Sequence, residues 1–411
     1  MTDLSTQERF GVDAQQKLET VLGVPPFSEA SLGAEATPLT FAPANSEQLL
    51  GSLIGIAVGE AIGEPVEDRS RTWIQQRFGV IKGFVTATPS TGSDTSLVLL
   101  TLTAILNDPA NHPQAFATAI AHSAIVSRGQ TLNYTRDQLR SGVSWWSAAA
   151  PDSAGTAGPA RCAPIGLLWV GHPERAGFEA AVSCAVTHGH PSALAAATAI
   201  AAAVSTAATG VDLNADWMRS AADVADKTTS DRRVSSRIRM AADLLGHDEA
   251  SALDLIGTRP VSWETIPAAL WCAANATSPI EGVLSAVNAG GDTDTIASMV
   301  GALTGAKSGT VAWPHAATQI KGIAEVRQAA AAVANASFTV DDPHSPTQST
   351  TKQDGSVNVS FLLDRSGSMN SLTEDVIENF ISITKQYCNQ KEDNEIYMNY
   401  NKCPRQCKLT R

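Results

Sequence analysis

The sequence predicts an all-α, multi-helix globule with a short, incomplete α/β fragment at its C-terminal end. Three observations carry this. From Asn45 to about residue 335, apolar residues recur at helical spacing. Gly and Pro interrupt these runs at intervals of roughly 15–25 residues, the punctuation expected between helices. Strand-like alternation is nearly absent from that stretch and first becomes convincing at 357–363.

Residues 1–45 hold Pro25, Pro26, Pro38 and Pro43 and read as an N-terminal extension with a short helix over 14–21. The first long helix starts at Asn45, an N-cap residue, with Gln48 three positions on, as in a capping box. Leu49, Leu50, Leu53, Ile54 and Ala57 supply its apolar face. Gly51, Gly55, Gly59 and Gly63 recur every fourth residue and so form one stripe. Each disfavours the helix by about 1 kcal/mol relative to Ala. The stripe therefore points to a close approach, either of a ligand or of another helix packed through small residues. Further helices are expected over 94–107, 113–127, 135–146, 174–187, 191–208, 214–226, 231–245, 263–276, 279–289, 294–306 and 320–336. The Ala-rich stretch 191–208 suits a central, buried position. The helical domain thus spans 46–336, and a Ser/Thr/Pro-rich linker spans 337–355. Residues 356–411 open with a strand, run through Asp364-Arg365-Ser366-Gly367-Ser368 into a helix near 373–387, and end in a polar tail expected to be disordered.

Composition narrows the function classes. The 29 Lys and Arg against 41 Asp and Glu give a net charge of −12, and no basic run appears in the helical region, so phosphate-neutralising nucleic-acid binding finds no support. The polar N-terminus does not read as a signal peptide. The most apolar stretch, 192–210, is rich in Ala, Ser and Thr and reads as a core helix rather than a membrane span. Cys162, Cys184 and Cys272 are scattered in apolar surroundings, as buried free thiols are, which points to the cytoplasm. Cys403 and Cys407 lack a partner pair at zinc spacing.

The most informative segment is Gly290-Gly291-Asp292-Thr293-Asp294-Thr295. Two glycines permit a tight turn and a helix follows at once. Asp292 can cap that helix, and carboxylates in its first turn suit the helix dipole. Capping explains one Asp; two Asp and two Thr together suit a hard cation such as Mg²⁺, since clustered carboxylates otherwise repel. Four further features stand upstream: the acidic helix start Gly92-Ser93-Asp94-Thr95, the segment Gly59-Glu60-Ala61-Ile62-Gly63-Glu64-Pro65-Val66-Glu67, the Gly-rich loop 153–161 leading into Cys162-Ala163-Pro164-Ile165-Gly166, and Thr187-His188-Gly189-His190-Pro191. A Gly-rich loop with one Arg suits a phosphate, and a His near a helix start serves as a cap or core residue as readily as a ligand.

In this order, over roughly residues 46–314, these features resemble the ADP-ribosylglycohydrolase family, which includes the dinitrogenase-reductase-activating glycohydrolases. The resemblance implies a compact all-α fold and one or two Mg²⁺ ions at the base of a cleft. It also implies an ADP-ribosylated protein, or a small molecule containing ADP-ribose, as substrate. It assigns Ser93, Asp94, Asp292, Asp294 and Thr295 to metal, Glu67 and Asp292 to catalysis, and Gly158, Arg161 and His188 to the substrate, with Arg161 and the glycine loop on the pyrophosphate. Hydrolysis would then occur at the anomeric carbon of a ribose through an oxocarbenium-like transition state.

One departure bears on activity. The family's first metal motif reads Thr-Asp-Asp-Thr, whereas this chain has Gly92-Ser93-Asp94-Thr95, and Glu60 replaces the Asp of the family's Gly-Asp-Ala opening. A lost carboxylate lowers affinity for a hard ion. The alternative is therefore a relative that binds ADP-ribose or a partner without turnover. The C-terminal Asp-x-Ser-x-Ser motif resembles the start of a von Willebrand factor type A domain, truncated before the loops that would complete its metal site.

Overall fold

The stripe of four glycines in the first long helix is explained by a second helix backbone. The computed structural model describes residues 9–22, 42–126, 129–314 and 319–336. In chain order their α-helices are α1 Val12–Leu22, α2 Ser46–Gly63, α3 Arg71–Phe78, α4 Ser93–Asn107, α5 His112–His122, α6 Gln130–Arg140, α7 Ala157–Cys162 and α8 Pro173–Cys184. They continue with α9 Pro191–Ala207, α10 Ala215–Thr228, α11 Arg233–Asp243, α12 Glu249–Ile256, α13 Ser262–Asn275, α14 Pro279–Ala289, α15 Thr293–Ser308 and α16 Ile323–Asn335. The only named strands among the described residues are β1 Arg69–Ser70 and β2 Gly290–Gly291, paired antiparallel. The all-α expectation therefore holds.

Helices α2 and α15 run antiparallel with their backbones in contact. A Cβ at Gly55 would lie 2.2 Å from the Gly301 carbonyl oxygen, one at Gly59 2.2 Å from that of Ala297, and one at Gly63 2.6 Å from the Asp294 Cα. Gly301 and Gly305 return the favour, facing Gly55 and Gly51. The Ser52 hydroxyl donates to the Ala302 carbonyl at 2.9 Å, and Thr293 Oγ1 donates to that of Gly63 at 2.8 Å. The far end of the stripe thus sits on the Asp292–Thr295 turn, which ties a packing feature to the candidate site. Helix α2 is long and apolar enough to cross a membrane by composition, yet it is covered by protein.

Helix α9 is buried along almost its whole length between α8, α10 and the 3-10 segment Ala163–Leu168. Its alanines allow that crowding. Most predicted helices fall within a few residues of their expected limits. Two differ more: the helix expected over 113–127 ends at His122, and the one expected over 135–146 runs from Gln130 to Arg140. Gly142, at φ 88°, lies just past its end, and the buried Trp145 packs edge-on against Phe10 with ring centroids 5.8 Å apart. The Gly-rich loop also contains a helix, α7. Helices α3 and α12 were not anticipated, because both are short and their apolar patterns are weak.

The N-terminal segment is tied down through Glu179 on α8. Its carboxylate meets Arg9 at 2.7 Å, Arg175 at 2.8 Å and His112 Nε2 at 2.8 Å. Burial works to raise the Glu179 pKa, but Arg9 and Arg175 prevail and hold it well below the usual range. Glu179→Ala would leave two guanidinium groups buried without their carboxylate. We expect a loss of about 3–5 kcal/mol, read as a lowered midpoint in urea unfolding. The linker 337–355, the predicted strand at 357–363, the Asp364–Ser368 motif and Cys388, Cys403 and Cys407 lie outside the described residues.

Candidate metal and active site

Two helix beginnings far apart in sequence meet here. Gly290 and Gly291 have φ of 78° and 81°, a region that L side chains rarely adopt. A Cβ on Gly291 would stand 2.2 Å from the Thr258 carbonyl oxygen. The turn passes between that carbonyl, which accepts from Asp292 N at 2.8 Å, and the chain at Asp68, whose N–H donates to the Gly291 carbonyl at 2.9 Å. Asp68 itself has φ 63°. This backbone path brings Asp292 and Asp294 to Glu67, which follows α2.

Carboxylate oxygens of Glu67, Asp292 and Asp294 lie within 4.8 Å of one another. Asp94, at the start of α4, belongs to the same electrostatic group. Burial raises its pKa well above the usual value, and Asp294, Glu60 and Asp292 add to the rise. Burial likewise pushes Asp292 up to about 7, with Glu67 and Asp68 adding repulsion. Asp294 rises to about 8 through burial, then Asp292 and Glu67. The Thr295 hydroxyl works against the rise at Asp94 and Asp292, and the Thr156 hydroxyl, which sequence reasoning missed, does so at Asp292. Asp94 Oδ2 and Asp292 Oδ2 are buried with no hydrogen-bond partner. Buried carboxylate oxygens in that state suit a positive partner. The donor set of hard carboxylate and hydroxyl oxygens fits a divalent cation such as Mg²⁺.

Glu60 has a different task from its neighbours. Its carboxylate accepts from the backbone N–H groups of Gly92, Asp94 and Thr95 at 2.9, 2.7 and 3.1 Å, and from Thr95 Oγ1 at 2.6 Å. It caps α4 from another helix, where Gly92 offers no side chain. This fixes Asp94 against the cluster. Ser93 opens α4, half-buried, and contributes a neutral hydroxyl where a carboxylate would add charge.

The raised pKa values set the pH dependence of the metal-free protein. In the unfolded chain these aspartates lose their protons near pH 4, whereas in the fold Asp292 and Asp294 keep them until about 7 and 8. The native state therefore binds more protons across this window, and stability falls as pH rises through it. Calorimetry in EDTA should show a lower melting temperature at pH 8.5 than at pH 5.5, and saturating Mg²⁺ should remove most of the difference.

The three predicted substrate-side residues are neighbours inside the protein. Arg161 is 2% exposed and engaged inside the protein. Its terminal nitrogens donate to Ser183 Oγ at 2.9 Å, the Ser183 carbonyl at 2.6 Å and Thr101 Oγ1 at 3.3 Å, and its guanidinium lies 3.8 Å over the Phe116 ring. Such a side chain pins α7 to α4 and α8. His188 is buried, its Nδ1 2.8 Å from Thr187 Oγ1. Burial, then Arg161, lowers its pKa to about 3, so it is neutral at physiological pH. Gly158 makes room for that ring, since a Cβ there would lie 2.4 Å from His188 Nδ1. His188 in turn stands behind the 155–158 turn, packed against Gly155 and Gly158.

The chain is all-α, with an acidic cluster at the start of α15, and comparison with known proteins gives its family. The sequence pattern of the ADP-ribosylglycohydrolase family matches residues 42–343. The chain belongs to the ADP-ribosylglycohydrolase family. It is 28% identical over 273 residues to an uncharacterized protein of Archaeoglobus fulgidus, covering 64% of this chain and 88% of that one. A solved structure titled as an ADP-ribosylglycohydrolase-related protein complex shares the fold, with a TM-score of 0.57 at 24% identity, over 71% of this chain and 99% of the other.

Proposed function

We propose that this protein is a Mg²⁺-dependent hydrolase of the glycosidic bond between ADP-ribose and a modified protein side chain or small acceptor. The observation that carries the reading is the convergence of Glu67, Asp292 and Asp294 within 4.8 Å, inside the family match. A divalent ion bound there supplies charge stabilisation and an acidified water. The chain's own residues do the rest. Glu67 follows the Glu64–Val66 turn on extended backbone, half-buried at the cluster, where its carboxylate can hold or move a proton. Asp292 and Asp294 are placed by the Gly-Gly turn, and Asp294 Oδ1 accepts from Thr295 N at 2.7 Å. Neutral His188 backs the turn that carries Thr156. The buried free thiols of Cys162, Cys184 and Cys272 support a reducing, cytoplasmic setting.

The test measures free ADP-ribose released from arginine-linked, serine-linked and small-acceptor substrates, in Mg²⁺ and in EDTA. Release in Mg²⁺ and none in EDTA is expected. Tight ADP-ribose binding with no release from any substrate would instead favour the binding-only alternative, which the neutral Ser93 motivates. Ser93→Asp adds a carboxylate beside Asp94, and we expect it to tighten Mg²⁺ binding by roughly tenfold, followed by titration calorimetry.

A further inference from the structure

Helix α3 carries a surface that the cleft chemistry does not use. Trp73, Phe78 and Val80 are 37%, 38% and 66% exposed, an unusual run of large apolar groups on one short segment. Cations frame them. The Arg69 guanidinium lies 4.9 Å over the Trp73 ring, Arg77 lies 5.9 Å over that of Phe78, and the two rings meet edge-on at 6.0 Å. Trp73 and Arg77 are spaced by four on α3 and share a face, with Arg69 of β1 reaching the Trp73 ring, while Ile74 faces the core. Arg71 is the one cation of this segment in an ion pair among the described residues, with Asp254 at 3.0 Å. Arg69, Arg77 and the exposed Lys82 therefore leave hydrogen-bonding edges to solvent, on a chain of net charge −12.

The platform is fixed, and it adjoins the acidic cluster. Ser70 Oγ caps α3 by accepting from Trp73 N at 3.2 Å, β1 pairs with β2 just before Asp292, and Asn288 brackets Ile81 with bonds of 2.9 and 3.0 Å. Arg69 stands two residues beyond Glu67. A mononucleotide prefers a concave pocket. A helix face of exposed Trp, Phe and Arg has the make-up of a polypeptide contact.

We propose that α3 and its flanks dock an acidic polypeptide: the segment around the modified residue of the protein substrate, held on α3 while ADP-ribose enters the cleft. The partner's identity rests on the glycohydrolase reading. Acidic groups of the docked chain face Arg77 and Lys82, away from Glu64 and Asp68 at the cleft end.

The experiment measures anisotropy of a fluorescein-labelled Asp/Glu-rich peptide with the full chain, and kcat and KM for an ADP-ribosylated protein and for a small ADP-ribosylated acceptor. Both Trp73→Ala and Arg77→Glu alter exposed side chains and should fold normally. Each should weaken peptide binding by roughly tenfold or more, and high salt should weaken wild-type binding. KM for the protein substrate should rise by a similar factor, with kcat and small-acceptor turnover unchanged. Absent peptide binding by wild type, equal binding by the variants, or equal losses on both substrates would overturn the proposal. Intact, variant-sensitive peptide binding without hydrolysis would uphold the surface and count against the glycohydrolase reading alone.

Discussion

Asp292→Asn is expected to lower Mg²⁺-dependent ADP-ribose release by on the order of 10³-fold, while making the metal-free protein more stable at pH 8. The two effects have one cause. Asp292 is 3% exposed, has an Oδ2 with no partner, and shares its site with Glu67, Asp68 and Asp294. Without a cation, its ionised form is a liability, as the rise of its pKa to about 7 records. With a cation, the same charge becomes a ligand. Removing it should therefore raise the melting temperature in EDTA at pH 8 and reduce the further rise that Mg²⁺ produces in wild type. A variant that lost activity but kept the wild-type Mg²⁺-dependent rise would remove Asp292 from the metal site. A variant less stable than wild type in EDTA at pH 8 would contradict the repulsion argument.

The second large effect is structural. Gly301→Ala places a Cβ 2.0 Å from the Gly55 carbonyl oxygen, in a contact where neither partner is a flexible side chain. Helices α2 and α15 would have to separate, and the Thr293–Gly63 bond at the metal-site end would go with them. We expect at least about 3 kcal/mol of destabilisation, a large part of a typical domain's stability. Gly83→Ala is the control, since nothing lies within 4 Å of its added Cβ; it should stay within about 0.5 kcal/mol of wild type. Equal unfolding midpoints for the two variants would show that the stripe is not a backbone contact.

Much of the site was legible because its signals are local. The Gly-Gly turn before Asp292-Thr293-Asp294-Thr295 displays its φ requirement and its charge within six residues. Helix α9 displays its burial in its own alanines. Other features were illegible because their partners are distant. Glu60 read as a departure from a motif, yet it caps α4 across the fold. Arg161 read as a phosphate ligand, since nothing near it in the chain reveals Ser183, Thr101 and Phe116 closing around it. Thr156 offered no signal beyond preceding a short helix, and α3, with Ile74 its sole buried residue, gave almost no helical pattern.

By itself the sequence determined the helical class, the glycine stripe, and the acidic turn at Asp292 and Asp294, because periodicity, turn geometry and charge clustering act over a few residues. Only the tertiary structure decided that the stripe meets a backbone rather than a ligand. It alone decided that the starts of α4 and α15 share one acidic cluster, and that Arg161 is a core fastening. Those outcomes depend on how helices distant in the chain pack, and packing is settled by the contacts of all of them together.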